Sequence, residues 1–270
     1  CNGGCGCNGG CGCGCQAAAA CGGYSQEQWD NFSQTQQGQN LFRWWADWIP
    51  TQCGQNWVNN KTWEARRIVD GMVSQWGWET LRDGGVIDVG GDPGFVAAEL
   101  LKSGVPVTIV DPAFSVSGKS CASTDYILHH HKTTPGAAPF EIIRQPFDQA
   151  FVDNPSHASL LKKAKAIVSL YPDEATEFLL KYSAERRIRT AIIPCNECKQ
   201  YFPPHNPTYE GFVQLLLEKD LGYAASFGHS NRLIRDSIGN TPFCNLILHR
   251  TPDGDTGDSR GGAAGGRGPP

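Results

Sequence analysis

Short apolar runs alternate with amphipathic stretches from residue 86 of this 270-residue chain onward. Runs rich in β-branched residues predict strands, and stretches with apolar residues three and four positions apart predict helices. Because strands that alternate with helices form parallel sheets covered on both faces, the pattern predicts an α/β fold with a doubly wound, mostly parallel sheet. We expect a loop or hairpin at 222–227, before the last strand. The predicted strands cover residues 86–89, 105–111, 140–145, 164–171, 189–194 and 243–250, and the predicted helices between them cover 95–103, 174–185 and 209–221.

The chain before residue 86 has a different pattern, because all eight tryptophans lie between Trp29 and Trp78. Residues 42–50 and 64–78 place their aromatic and aliphatic side chains at helical spacing. Such rings could stack on nucleobases, but this spacing is more typical of core packing. We therefore predict four segments, which are a Cys- and Gly-rich low-complexity tail (1–23), a helical, Trp-rich lead-in (24–80), the α/β domain (81–250) and a disordered tail (251–270).

Cysteine usage and charge limit the classes of protein. Residues 1–15 repeat a CNGGCGC unit whose thiolates could share soft metal ions, although a glycine-rich low-complexity segment is the simpler interpretation. The remaining cysteines are scattered, which is typical of a reducing, intracellular compartment. The net charge of -4 gives no general attraction to a polyanion, and no apolar run approaches the roughly 20 residues of a membrane span.

The stretch VIDVGGDPGF (86–95) predicts a strand, a glycine turn and the start of a helix. A nicotinamide or flavin site requires three glycines in the pattern G-x-G-x-x-G, which is absent here. The turn instead reads D-x-G-x-x-P-G from Asp88 to Gly94, and Asp111 ends the next strand. A tight turn without any ligand is the alternative.

The D-x-G-x-x-P-G turn resembles motif one of the Rossmann-like S-adenosyl-L-methionine (SAM) methyltransferases, and its form is similar to that of ribose-2′-O RNA methyltransferases. The resemblance implies SAM as cofactor, with Asp111 placed to accept hydrogen bonds from ribose hydroxyls. Asp92 departs from the pattern, since many such enzymes have a glycine there. The cofactor-binding residues expected from the resemblance are Asp88, Gly90, Gly91, Asp92, Gly94, Phe95 and Asp111.

Two later stretches, YPDEATEFLL and IIPCNECKQYFP, resemble the H-P-D-x-A-T-E and P-C-C motifs of a poorly characterised eukaryotic methyltransferase-like family. With the glycine turn, the resemblance covers about residues 85–250. The chain departs from it at Tyr171, where the family has histidine, and at 196–198, where a second adjacent cysteine is missing. This resemblance implies a SAM-binding domain but indicates little about the substrate.

Three side chains after the fourth and fifth strands are candidate catalytic groups. Asp173 and Glu177 could orient the methyl acceptor or take its proton, or they could simply cap the helix and complement its dipole. Cys195 could act as a nucleophile, could join Cys198 and His205 in a zinc site, or could line the cofactor pocket. We favour the pocket-lining role and predict no metal site.

Together these features predict a SAM-dependent methyltransferase whose acceptor is unknown, with RNA or an RNA-protein assembly slightly favoured as partner. The alternative is a catalytically inactive relative that serves as scaffold or binding subunit in such an assembly. The turn alone does not separate the two, because one fold can serve many functions.

Overall fold

The computed structural model describes residues 31, 35, 36, 52–92, 94–112, 138–172, 174–195, 208–237 and 246–251. The cysteine-rich segment 1–23, the helix expected at 42–50 and all but Thr251 of the predicted tail 251–270 lie outside these residues. No helix in the described ranges combines the length and apolar character needed to cross a membrane.

The described strands and helices follow the predicted alternation. The strands are β1 (Val86–Val89), β2 (Val107–Val110), β3 (Phe140–Ile143), β4 (Ala166–Leu170), β5 (Arg189–Ile193), β6 (Ile234–Ser237) and β7 (Leu246–Arg250). The helices are α1 (Gln52–Trp76), α2 (Trp78–Gly84), α3 (Phe95–Lys102), α4 (Gln149–Asp153), α5 (Ala158–Lys163), α6 (Ala175–Arg186) and α7 (Tyr209–Ser226), with a 3₁₀ turn at Pro155–His157.

The seven described strands form one sheet in the order β3-β2-β1-β4-β5-β7-β6. Strands β1 to β5 are parallel to one another, whereas β7 runs antiparallel to both β5 and β6. The classic dinucleotide-binding order is 3-2-1-4-5-6, so this sheet has that order with one antiparallel strand inserted. The predicted doubly wound, mostly parallel α/β fold is confirmed.

The loop or hairpin expected at 222–227 is wrong. Helix α7 continues to Ser226, and the hairpin is formed instead by β6 and β7. The helix extends because Tyr223 donates a hydrogen bond of 2.8 Å to Glu177 on α6, and Ala224 is buried. These tertiary contacts outweigh the low helix propensity of Gly222.

Apolar side chains pack on both faces of the sheet. Helices α1, α2 and α3 cover one face with Ala65, Ile68, Val69, Met72, Trp76, Leu81, Val96, Leu100 and Leu101. Helices α4, α6 and α7 cover the other with Phe151, Leu179, Leu180, Phe212, Val213 and Leu216. Since each large apolar side chain stabilises the fold by about 1.5–3 kcal/mol when buried, α1 is an integral layer of the α/β core.

A buried ion pair connects α7 to the β6–β7 hairpin. Asp220 accepts a charge-assisted hydrogen bond from Arg250, and both side chains have no exposed surface. The other oxygen of Asp220 accepts the backbone amide of Leu233 at 2.7 Å, and Arg250 also donates to the carbonyl oxygen of Asn231 at 2.8 Å. Burial raises the pKa of Asp220, and the charge of Arg250 lowers it in part.

Helix α6 ends at a residue with left-handed backbone geometry. Arg187 has φ 51° and ψ 34° and is exposed, and its amide donates to the carbonyl oxygen of Ala184. Left-handed geometry costs an ordinary L-residue about 1–2 kcal/mol, and glycine avoids this cost. We expect Arg187→Gly to raise the free energy of unfolding by about 0.5–1 kcal/mol.

Urea denaturation measures this change, and Glu185→Gly is the matched control. Glu185 is equally exposed but lies inside α6, where glycine lowers helix stability by about 1 kcal/mol. Equal losses in both variants would show that Arg187 carries no backbone strain.

Candidate functional site

The strand order reverses between β1 and β4, and ligands of open α/β sheets bind outside the carboxyl ends of the strands at such a point. The ladder between these two strands stops at the pair Asp88 and Val168. One residue further, the hydroxyl of Ser169 donates to the carbonyl oxygen of Val89 at 2.5 Å. The strands therefore begin to diverge at this position, and the loops that follow β1 and β4 border the crevice.

The turn after β1 depends on its glycines. Gly90 has φ 64° and donates its amide to the carbonyl oxygen of Val110 at 3.0 Å, and Gly94 has φ 89° where α3 begins. A Cβ at Gly91 would lie 2.9 Å from Asp88 and from Ile109. These contacts leave no room for a side chain at residue 91, so the backbone of the turn lies directly on the strand ends.

Asp88 lies beneath this turn and is 1% exposed. Neither of its carboxylate oxygens has a hydrogen-bond partner of normal geometry among the described residues. Burial and, to a lesser extent, the charge of Asp111 together raise the pKa of Asp88 to about 8, although the backbone amide of Ala97 on α3 lowers it in part. A buried carboxyl group without partners is costly to ionise, so Asp88 is mainly protonated at neutral pH.

The predicted cofactor residues meet at this edge of the sheet. Asp111 follows β2, is buried, and accepts the backbone amide of Asp92 at 2.9 Å, which joins the glycine turn to the end of β2. The side chain of Asp92 is exposed, whereas Phe95, the first residue of α3, is buried in the core that α1 also covers. The turn thus places Asp88, Asp92 and Asp111 around one short segment of backbone.

The loop after β4 borders the turn from the other side. Tyr171 has φ 66°, an unusual value for a residue with a side chain, and Lys61 of α1 lies 4.0 Å above its ring. A Cβ at Gly90 would lie 3.5 Å from Pro172, so the two loops approach closely. Sequence reasoning missed Lys61 and Ser169, because neither belongs to a motif and both act across long sequence separations.

Glu177, one of the candidate catalytic groups, is bonded to the neighbouring helix α7. Its carboxylate accepts hydrogen bonds from the ammonium group of Lys219 at 2.6 Å and from the hydroxyl of Tyr223 at 2.8 Å. These contacts with Lys219, and the bond from Tyr223, hold the pKa of Glu177 below its ordinary value, while partial burial opposes them. The contacts are those of a structural link between α6 and α7.

The other candidate catalytic residues are placed differently. Cys195 follows β5, is half-buried and forms no disulfide with any residue that the structure describes. Asp173 lies outside the described residues, as do Cys198 and His205 of the alternative zinc site. Within the described ranges no three side chains of His, Cys, Asp or Glu cluster as metal ligands.

Comparison with known proteins gives solved structures only, since no family model and no curated protein matches the chain. Magnesium protoporphyrin IX methyltransferase from Synechocystis PCC 6803 with bound SAH is 15% identical, with a TM-score of 0.47 over 82% of this chain and 96% of that one. The same enzyme with bound SAM is 13% identical, with a TM-score of 0.46 over 83% of this chain and 94% of that one. An O-methyltransferase family protein from Burkholderia thailandensis is 14% identical, with a TM-score of 0.43 over 85% of this chain and 63% of that one.

The electrostatics of the turn restrict its ligands. Residues 86–95 contain two aspartates and no lysine or arginine, and Asp111 adds a third carboxyl group through its bond to Asp92. A negatively charged ligand group placed close to these carboxylates would be repelled strongly, because like charges repel more when they are partly buried. The arrangement is suited to a ligand that brings positive charge and hydroxyl groups, and it is unfavourable for a pyrophosphate.

Proposed function

We propose that this chain binds S-adenosyl-L-methionine at the glycine turn after β1 and acts as a methyltransferase. The observation that carries the proposal is the group of three carboxyl side chains, Asp88, Asp92 and Asp111, around a close-packed turn at the reversal point of the sheet.

The alternative class, a dinucleotide site, fits this turn poorly. A pyrophosphate at the N-terminus of α3 would meet the exposed carboxylate of Asp92 in the turn, without a basic residue in 86–95 to offset it. SAM has no phosphate, and its sulfonium and ammonium groups are positive. The carboxylate groups of the turn would therefore attract the positive groups of SAM and repel the pyrophosphate of NADH.

The described residues fit the cofactor in three respects. Gly90, Gly91 and Gly94 have no side chains of their own to hold a ligand off the turn, which permits close approach of the methionine part. The Asp111 carboxylate at the end of β2 has the position from which an acidic residue binds ribose hydroxyls in related folds. The buried Asp88 carboxyl supplies negative charge beneath the turn once it ionises.

When bound, SAM supplies a methyl group on a positively charged sulfur. In this fold the loop after β4 borders the acceptor side, and we keep Asp173 as the proposed residue for orienting the acceptor or removing its proton. The contacts of Glu177 with α7 support a structural role for that residue instead. Cys195 stays a proposed lining residue of the pocket. The expected RNA acceptor remains a prediction, and so does the alternative of an inactive scaffold.

Isothermal titration of the full chain tests the cofactor proposal. We expect SAM to bind with one site per chain, and we expect Gly91→Ala to weaken binding by about 100-fold or more, because the added methyl group would press on Asp88 and Ile109 at 2.9 Å. Gly222→Ala is the matched control, since a Cβ there meets nothing within 4 Å, and it should leave SAM affinity unchanged.

Binding of NADH without binding of SAM would overturn the cofactor assignment. Tight SAM binding without methyl transfer to any RNA, protein or metabolite pool would instead favour the scaffold alternative. Circular dichroism of Gly91→Ala separates loss of the site from loss of the fold.

A further inference from the structure

We propose that Asp88 couples a proton to cofactor binding, so that as pH rises the site increasingly favours SAM, which carries a sulfonium charge, over its product S-adenosylhomocysteine, which does not. This inference rests on the proposed function, because it concerns the same site, and it adds a regulation of that site by pH.

The geometry that supports it is a carboxyl group sealed under the ligand-facing backbone. Asp88 is 1% exposed, and neither of its oxygens has a hydrogen-bond partner of normal geometry in the described ranges. The Cβ position of Gly91 lies 2.9 Å from its Cγ and Oδ2 atoms. Only the thickness of the turn therefore separates this carboxyl group from a ligand bound on the turn.

The surroundings of Asp88 leave its charge uncompensated. From β2 it faces Asp111, a group of like charge, and from α3 it faces only the backbone amide of Ala97. Its neighbours in register, Ile109 on β2 and Val168 on β4, are uncharged.

Several charged side chains of the covering helices are paired with one another. On α1, Lys61 binds Glu64, and on α3, Glu99 binds Arg66 and Lys102. Among the described groups only Asp111 and the amide of Ala97 act on the ionisation of Asp88. The proton on Asp88 therefore responds to a charge brought by the ligand.

The two ligands differ in the relevant charge. SAM carries a sulfonium, and the product of methyl transfer carries a neutral thioether, while the amino, carboxylate and adenosine groups are the same. A positive sulfur above the turn lowers the pKa of Asp88 and releases its proton to solvent, whereas a thioether has no such effect. Raising the pH removes the proton in advance, which strengthens binding of SAM selectively.

The experiment measures affinities of the full chain for SAM and for S-adenosylhomocysteine between pH 6.5 and 8.5. We expect the ratio of the two affinities to rise roughly tenfold toward SAM over this range. The α-amino groups of both ligands titrate at about pH 7.7–8.0, and this common effect largely cancels in the ratio. In Asp88→Asn, which keeps the shape of the protonated residue, the ratio should be independent of pH.

Titration in buffers of different ionisation enthalpy gives a second readout. At pH 7 the wild-type chain should release a substantial fraction of one proton on binding SAM and much less on binding S-adenosylhomocysteine. A flat affinity ratio in the wild type, or an equal rise in Asp88→Asn, would overturn the coupling while leaving SAM binding intact. Absence of SAM binding at every pH would overturn the proposed function itself.

Discussion

At pH 9 and without ligand, Asp88→Asn is expected to melt roughly 10 °C above the wild-type protein, although the substitution removes a side chain from the proposed site. The reason lies in the proton on Asp88. Its pKa is about 8 in the folded protein and 3.8 in its ordinary state. Between these pH values the folded state binds more protons than the unfolded chain, so stability falls as pH rises.

The size of the effect follows from the shift. About four pKa units at 1.36 kcal/mol per unit correspond to roughly 5 kcal/mol of stability, present below pH 4 and lost by about pH 8. Asparagine cannot ionise, and the variant therefore keeps this stability at high pH. At pH 5 the difference should shrink to about 1–2 kcal/mol, because Asp88 is still protonated in the folded protein and only the unfolded chain has begun to gain stability from its ionisation.

Thermal melts followed by circular dichroism from pH 5 to pH 9 measure the difference. Asp70→Asn, an exposed aspartate on α1, is the control and should parallel the wild type throughout. If Asp88→Asn also parallels the wild type, then Asp88 is ionised and partnered in the folded protein, and the argument for proton coupling is lost with it.

The second large effect concerns the buried pair of Asp220 and Arg250. Removing one member of a buried ion pair leaves the other charge without a partner, which typically costs about 3–5 kcal/mol. We expect Asp220→Asn and Arg250→Met each to lower the free energy of unfolding by this amount at pH 8. The double variant should be more stable than the sum of the two losses implies, because it buries no unpaired charge.

The two single variants should differ in their dependence on pH. Arginine stays protonated at every accessible pH. Because the pKa of Asp220 is raised, the wild type itself loses stability as pH rises above about 4, so the loss in Asp220→Asn should become smaller toward high pH. In Arg250→Met, Asp220 loses the cation that lowers its pKa. The buried carboxyl group then has no partner for a negative charge, so the protonated form is favoured. The stability of Arg250→Met should therefore fall as pH rises above about 4, and the variant should be closest to the wild type in acid.

Urea denaturation at several pH values tests both statements. Glu210→Gln is the control, since Glu210 forms an exposed ion pair with Arg235, and exposed pairs contribute about 1 kcal/mol or less. A loss for Arg250→Met that does not change with pH would show that Asp220 is not the group left uncompensated.

The parts of the fold that sequence alone predicts are those with strong local signals. Strand β1, the turn and α3 follow from a β-branched run, glycines and a helical apolar pattern, and they were predicted to within one residue. The end of α7 and strand β6 were not, because Gly222 and the polar residues around Ile234 suggest a loop. Their structure depends on Glu177, on β7 and on other contacts distant in sequence.

The candidate site divides in the same way. The glycines and acidic residues from Asp88 to Asp111 could be proposed from a motif whose members are close in sequence. Three other features could not be predicted, because each depends on contacts between two or three elements. They are the unpartnered state of Asp88, the left-handed Tyr171 beneath Lys61 and the hydrogen bond from Ser169 to Val89. The pairing of Glu177 with α7 is of the same kind, and it gives that residue a role which its position in the motif does not reveal.

The insertion of β7 between β5 and β6 has a consequence for the nascent chain. Residues leave the ribosome in order, so β6 emerges before the only described strand that can pair with it. Until residues 246–250 are free, β5 remains an open edge and the partly exposed Ile234 on β6 has no sheet to join. Unpaired edges of this kind are sites for aggregation or chaperone binding. Completion of the sheet is therefore a late, long-range step in the biogenesis of this protein.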